Sequence, residues 1–83
     1  MAMTSEEVLL EVNKVFVRVF ERPGLVVSAT TTASDVEGWD SLNHTLLIGE
    51  VQKHFNVKFA LKEVMKFQNV GDLCAVLRAK LGG

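Results

Sequence analysis

The sequence lacks the features that mark several common classes of protein. Its 83 residues include a single cysteine, so no intramolecular disulfide can form and the chain is compatible with a reducing cytoplasm. The formal net charge of −1 does not provide the basic surface that nucleic-acid binding requires. The sequence has neither the positive region and apolar stretch of a signal peptide nor an apolar run that could span a membrane. We therefore expect a cytoplasmic protein with no nucleic-acid partner and no membrane span.

Length and composition predict one compact domain over residues 1–83. With 48% apolar residues, a chain of this size can just bury an adequate core without disulfides or metals. Nothing in the pattern requires more than a monomer. The start at Met1, followed closely by a helix-capping pattern, favours a free protein over a piece of a larger enzyme. Gly82 and Gly83 are expected to form a frayed end.

Apolar residues recur at helical spacing in four segments, which predicts an all-α fold. Thr4 and Glu7 form a capping box before the first segment, and Asn69 is placed to cap the last. The expected architecture is a small four-helix bundle with three longer helices, one short helix and a long loop between helices 1 and 2. The segments run from about Ser5 to Phe20, Ser41 to Phe55, Leu61 to Lys66 and Val70 to Leu81.

The long loop after Pro23 and Gly24 contains three consecutive aliphatic residues, Leu25, Val26 and Val27. No second strand is available for them to pair with. Because three aliphatic side chains are poorly placed in water, we expect them to hold the loop against the bundle. The alternative is a flexible linker.

The segment that precedes the second helix places Ser41 at the start of that helix. A side chain at that position lies on the surface among backbone N–H groups that have no partner in the helix. The helix dipole and these donors both favour a negative group, so the position suits an attached phosphate. On position alone, a simple helix cap is an equal alternative.

The context of Ser41 is more specific than Asp40-Ser41-Leu42 alone. Trp39 precedes these three residues, aliphatic residues follow the serine by six, seven and ten positions, and Phe55 follows by fourteen. A later segment, Asn69-Val70-Gly71-Asp72-Leu73, has the pattern of a helix start. Together these features resemble the phosphopantetheine-attachment segment of acyl carrier proteins, and the resemblance extends roughly from Glu6 to Leu81.

The resemblance implies a carrier with no catalytic activity of its own. A phosphopantetheinyl transferase would attach the 4'-phosphopantetheine arm of coenzyme A to Ser41, and the arm's thiol would hold acyl groups as thioesters. Partners would be enzymes that load or process the acyl group, such as a ligase, a ketosynthase or an acyltransferase. Asp40 and Leu42 would contact the transferase. The other expected recognition residues are Thr45, Leu46, Gly49, Lys53 and Lys62.

The chain departs from carriers of primary fatty-acid synthesis, whose second helix is usually strongly acidic. Here that helix is close to neutral, and Lys58, Lys62 and Lys66 follow it. Since electrostatic complementarity selects partners, we expect a specialised pathway, such as polyketide or other secondary metabolism. The lysines could instead serve solubility alone. Two further alternatives are an aminoacyl or peptidyl carrier and an unmodified helical interaction module of the same fold.

Other reactive residues have simpler interpretations. Ser41, Asp40 and His44 include the residue types of a hydrolase triad, but they crowd one helix start without an oxyanion hole. Cys74 falls on the apolar face of the last helix, where a small core residue is expected. His44 and His54 are expected to be solvated surface residues. We therefore expect no catalytic residue and no metal site.

Overall fold

The computed structural model describes residues 3–81 and confirms the all-α prediction. Within these residues there is no strand, and no helix is long and apolar enough to cross a membrane. The third helix is one residue shorter than predicted, and Gly82 and Gly83 lie outside the described residues. A 3-10 turn that the sequence did not predict spans Ala33–Asp35. The helices are α1 (Ser5–Phe20), α2 (Ser41–Phe55), α3 (Leu61–Met65) and α4 (Val70–Lys80).

The helix ends follow from local chemistry. At the start of α1, the Thr4 N–H donates to the Glu7 carboxylate at 2.8 Å and the Glu7 N–H donates to the Thr4 hydroxyl at 3.1 Å. This is the capping box that the sequence predicts. The residues that follow α1 and α2, Glu21 and Asn56, take the left-handed conformation with φ of 53° and 56°. Both helices therefore end at a left-handed residue that is neither proline nor glycine.

The core lies between α1 and its two neighbours, α2 and α4. Most of it consists of valine and leucine side chains, and Phe16 is the largest side chain that is fully buried. The helix α3 has no buried residue and makes only slight contact with the other helices. The core residues are Val8, Val12, Val15, Phe16, Val27, Val36, Leu47, Ile48, Val51, Val70, Leu73, Cys74 and Leu77.

The long loop is held by Asn13 as well as by apolar contacts. The Asn13 side chain accepts a hydrogen bond from the Val27 N–H at 2.7 Å and donates one to the Leu25 carbonyl at 3.0 Å. Val27 is buried and Leu25 is half-buried, but Val26 is 82% exposed. The prediction that all three aliphatics face the bundle is therefore wrong for Val26. An extended chain points successive side chains to opposite sides, so its neighbours face inward while Val26 faces water.

The same loop also contacts the start of α4. The N–H groups of Val70 and Gly71 donate to the carbonyls of Thr31 and Ala29 at 2.9 and 2.8 Å. Asn69 caps α4 as predicted, by accepting from the Asp72 N–H at 2.8 Å. The approach to Ser41 therefore begins from a segment that is tied to both α1 and α4.

Candidate functional site

A tight turn directs the chain into α2. The Trp39 N–H donates to the Val36 carbonyl at 3.1 Å, and Gly38 lies between them with φ of 88°. This positive φ at the third position of a turn favours glycine, which has no Cβ to clash. Val36 is buried in the core, so the turn is anchored there immediately before α2 begins.

Asp40, and not Ser41, caps α2. The Asp40 carboxylate accepts from the Asn43 N–H at 2.9 Å, and the Asn43 side-chain amide donates to the Gly38 carbonyl. Ser41 is the first residue of the helix itself. The interpretation of Ser41 as a simple cap is therefore wrong, because the adjacent carboxylate already performs that function.

Ser41 is exposed at a helix start that retains free donors. In the first turn, the N–H groups of Asn43 and His44 are bonded to Asp40. Those of Ser41 and Leu42 have no acceptor within residues 3–81. Free N–H groups at the positive end of a helix dipole stabilise a phosphate group. The hydroxyl, free donors and exposure thus fit a phosphodiester at Ser41, although the adjacent Asp40 charge would repel it.

Trp39 and His44 form a pair that the sequence did not predict. The indole Nε1–H donates to His44 Nδ1 at 3.0 Å, and the two rings are tilted by only 20°. Desolvation lowers the pKa of His44 below its ordinary value of 6.5, against an opposing hydrogen bond with the Val64 backbone. The prediction of a solvated His44 is therefore wrong. Trp39 and His44 are five positions apart, on either side of the start of α2. The apolar periodicity of the sequence does not predict such a contact.

A groove of about 570 Å³ opens beside Ser41. One wall comes from the approach to α2 and its first turn, and the other comes from α3 and the segment after it. Half-buried Val64 and Phe67 face the groove. Met65 also lines it but is 77% exposed. The groove is lined by Ala33, Trp39, Asp40, Ser41, His44, Thr45, Val64, Met65, Phe67 and Gln68.

The exposed side of α2 forms one continuous stripe. Its members are Leu42, Leu46, Gly49 and Lys53, whose spacings of four, three and four residues return to nearly the same side of a helix. The side chains of Leu42 and Leu46 are 70% and 52% exposed. They lie outside the core, so α2 carries a second, exposed apolar stripe besides its core face. Thr45 lies beside the stripe, and its hydroxyl donates to the Ser41 carbonyl at 3.1 Å.

Lysines surround the far end of this stripe and continue onto α3. They are Lys53, Lys58, Lys62 and Lys66, and all four are exposed. Within residues 3–81 none of them forms an ion pair. The ion pairs that the structure contains lie elsewhere: Lys14–Glu11, Arg18–Glu50, His54–Glu11 and Lys80–Glu63.

The remaining reactive residues have structural roles. Cys74 is buried in the core, where desolvation raises the pKa of its thiol to about 11. His54 binds the Glu11 carboxylate at 2.8 Å, so it is not the purely solvated residue that the sequence suggested. His44 is occupied by Trp39 and is not poised to take a proton from Ser41. No cluster of three or more metal-binding side chains occurs in the described part of the chain.

Comparisons with known proteins agree with this geometry. The family model described as "Phosphopantetheine attachment site" matches residues 11–77. Among solved structures, the chain is similar to the holo acyl carrier protein from Geobacter metallireducens, determined by NMR in solution. The two share 39% sequence identity with a TM-score of 0.85, over 90% of this chain and 86% of the other.

The chain therefore belongs to the phosphopantetheine attachment-site family. Within that family it is a carrier of the acyl carrier protein type, which bears a covalent phosphopantetheine and carries acyl groups without catalysing their chemistry. The arm supplies a thiol on which acyl groups are held as thioesters, and the protein supplies attachment and display.

Proposed function

We propose that Ser41 is the attachment residue and that residues 1–83 act as one carrier domain, as a monomer in the cytoplasm. The observation that carries this proposal is the exposed hydroxyl of Ser41 at the first position of α2, beside free N–H donors and an open groove. The hydroxyl is accessible to a transferase, and the free N–H groups of Ser41 and Leu42 favour the phosphodiester that results.

The groove beside Ser41 suits the first part of an attached arm. Polar groups line it near the serine, and Val64 and Phe67 provide apolar surface on the opposite wall. An arm tethered at Ser41 samples this groove at high effective concentration, as it does any docked enzyme. The protein therefore contributes tethering, partial shelter and display.

Intact mass spectrometry tests the attachment residue. The purified chain is incubated with coenzyme A, magnesium and a broad-specificity phosphopantetheinyl transferase. We expect a mass gain of one phosphopantetheine in the wild type and in Ser34→Ala, a matched exposed serine in the same approach, but none in Ser41→Ala. If a folded wild-type sample shows no gain while a control carrier is modified, the chain is an unmodified interaction module. A gain that persists in Ser41→Ala would place the attachment elsewhere.

We further propose that the stripe on α2 is the surface that partner enzymes bind. It begins next to Ser41 with Leu42 and Leu46 and reaches Lys53 about 18 Å along the helix axis. Gly49 lies on this stripe and Thr45 lies beside it. We propose that Lys62 extends the same face onto α3. Asp40, exposed beside the serine, is placed to contact the transferase. The apolar residues provide contact area, and the charges select which surfaces can approach.

The charge of this face supports a specialised pathway. Four exposed lysines, none of which forms an ion pair within the described part of the chain, would repel a docking surface built to bind an acidic carrier. An enzyme with acidic groups at the matching positions would be attracted instead. We therefore propose partners of secondary metabolism, such as polyketide enzymes, in preference to those of primary fatty-acid synthesis.

Charge reversal tests the partner proposal. The holo protein is offered to a malonyl transferase of primary fatty-acid synthesis whose docking surface is basic. We expect poor kcat/KM for the wild type and a rise of roughly ten-fold in Lys53→Glu and Lys62→Glu, falling at high salt. Arg78→Glu on α4 changes the net charge equally but lies off the face, so it should have little effect. Equal kcat/KM for all four proteins would contradict a charge-selective face.

A further inference from the structure

A second groove opens at the far end of α2, where the chain turns into the linker that leads to α3. Its volume of about 660 Å³ is larger than that of the groove beside the serine. This linker groove is lined by Gly49 and Lys53 on its α2 side and by Val57, Lys58 and Phe59 on its linker side. Because Gly49 and Lys53 also belong to the stripe on α2, the linker groove continues the surface proposed to bind partner enzymes.

Gln52 holds the linker in place beside α2. Its side-chain oxygen accepts a hydrogen bond from the Phe59 N–H at 2.9 Å. Its backbone carbonyl accepts from the Val57 N–H at 3.1 Å and also from the N–H of Asn56, the left-handed residue after the helix. Three hydrogen bonds from the linker therefore converge on one residue of α2. A groove that is already formed costs a partner less ordering on binding.

The apolar part of the linker groove is fixed but incompletely covered. The Phe59 ring packs edge-on against Phe67, with 5.5 Å between the ring centroids, and Lys80 Nζ lies 5.7 Å from the Phe59 centroid. Phe59 and Val57 both remain half-buried. An apolar side chain of a partner would remove this remaining surface from water, which favours binding.

The charged residues that line the linker groove have one sign. Lys53 and Lys58 are exposed, and neither forms an ion pair within residues 3–81. No acidic residue of the described chain lines this groove. By contrast, Asp40 lines the groove beside the serine, and Glu7 and Glu11 line another beside the first turns of α1. The linker groove therefore favours an anionic occupant.

The helix dipole and solubility do not account for all of these features. The negative end of the α2 dipole favours a lysine in the last turn, which accounts for Lys53 but not for Lys58, beyond the helix end. A lysine that serves solubility needs no apolar surface beside it. A Cβ at Gly49 would meet no atom within 4 Å, so a partner can approach the helix backbone closely there.

We propose that the linker groove binds an acidic segment of a partner enzyme. One apolar side chain of that segment packs on Val57 and Phe59, and flanking carboxylates pair with Lys53 and Lys58. The segment passes close to the α2 backbone at Gly49. This inference rests on the proposed role of the stripe as a docking surface and specifies the partner chemistry that the surface accepts. The apolar contact provides buried area, and the two lysines reject basic segments.

Amide NMR titration of the unmodified protein tests the occupant. The probe is an acetylated and amidated peptide in which one phenylalanine is flanked on each side by two glutamates. We expect shift changes concentrated at Gly49, Lys53, Lys58 and Phe59, with binding that weakens at high salt. A peptide with serine in place of the phenylalanine should bind roughly five-fold more weakly, and one with lysines in place of the glutamates should not bind.

Two results of this titration would overturn the proposal. Equal binding of the phenylalanine and serine peptides would show a general attraction of anions without use of the apolar surface. Shift changes at the linker groove that appear when the protein concentration alone is raised would assign the groove to a second copy of the chain.

Substitutions locate the binding of the phenylalanine peptide. Lys53→Glu and Lys58→Glu should each weaken it by roughly five-fold, because attraction is replaced by repulsion, whereas Arg78→Glu on α4 should have little effect. Gly49→Gln obstructs the close approach without changing the charge and should also weaken binding. Ala79→Gln, at an exposed position of α4, is its matched control. Unchanged binding in both lysine variants would refute the proposal.

These measurements separate the inference from the proposed function. They use the chain without phosphopantetheine and without an enzyme, so a failure of modification at Ser41 leaves them unaffected. Conversely, the peptide could fail to bind while Lys53→Glu still raises kcat/KM with the malonyl transferase. The stripe would then stand as a charge-selective surface, and the linker groove would not be the place where an acidic segment binds.

Discussion

Single polar side chains determine much of the path of the long loop and of the geometry around Ser41. Ser41 could be identified from the sequence because a specific series of neighbours surrounds it. Asn13 and His44 could not, because an isolated amide or imidazole on a helix is equally compatible with water and with a distant partner. The partners of Asn13 lie twelve and fourteen residues later, in a loop without periodicity.

Asn13→Ala should destabilise the fold by about 1–3 kcal/mol, because it removes two partly buried hydrogen bonds to the loop. Urea unfolding measures the loss, and hydrogen exchange should show faster exchange specifically at the Val27 amide. Lys14→Ala, on the same helix, breaks an exposed ion pair and should cost at most about 1 kcal/mol. Equal effects of the two substitutions would show that Asn13 does not hold the loop.

His44 should make stability depend on pH in a defined direction. The unfolded chain binds a proton at His44 near its ordinary value of 6.5, whereas the folded chain resists it because the pKa is lowered. The unfolded state therefore binds more protons, so this contribution to stability is complete above pH 6.5. It is lost as pH falls through the lowered pKa. The unfolding temperature of the wild type should thus fall between pH 7.5 and 5, and it should fall less over the same range in His44→Asn, which lacks the titrating ring.

At the scale of elements, the sequence predicted the helices well and the loop poorly. Apolar periodicity and capping residues specify α1, α2 and α4 through interactions within a few residues. The path of the loop depends on carbonyls of Ala29 and Thr31 that accept from the start of α4, some forty residues away in the chain. Gly71 permits this approach, because a Cβ at its position would lie 2.7 Å from the Ala29 oxygen.

Two glycine substitutions should have opposite effects. Gly71→Ala would force the loop and α4 apart and should cost about 1–3 kcal/mol. Gly49→Ala places its Cβ in open space on α2, where alanine favours the helix by up to about 1 kcal/mol. Urea unfolding of both variants measures the two changes. Shifts in the same direction would mean that helix propensity, and not the contact with Ala29, dominates at Gly71.

The molecule as a whole consists of a well-buried core in α1, α2 and α4 and a lightly attached α3. Elements with few buried contacts open at lower free energy than the core, so the groove beside Ser41 borders an element that opens more easily than α1, α2 and α4. The sequence indicated only that the third helix is short. Its slight packing against the other helices depends on the tertiary arrangement.

Cys74 should report opening of the whole core. Its thiol is buried, and a pKa of about 11 in place of 9.0 reduces the thiolate fraction about 100-fold at pH 8. A disulfide reagent should therefore react very slowly with the folded, unmodified protein and rapidly after urea unfolding. The phosphopantetheine-bearing protein should instead show one fast thiol, that of the arm. Rapid modification of Cys74 in the folded, unmodified protein would contradict its place in the core.

The location of Trp39 also gives the protein useful optical properties. The chain has one tryptophan and no tyrosine, so its fluorescence at long excitation wavelengths comes from this indole alone. The indole lies in the groove wall and bonds to His44, within a few residues of Ser41. Events at the groove should therefore alter the emission intensity or wavelength without any added dye. Stopped-flow fluorescence can then follow arm attachment, acyl loading and enzyme docking in the unlabelled protein, each in real time.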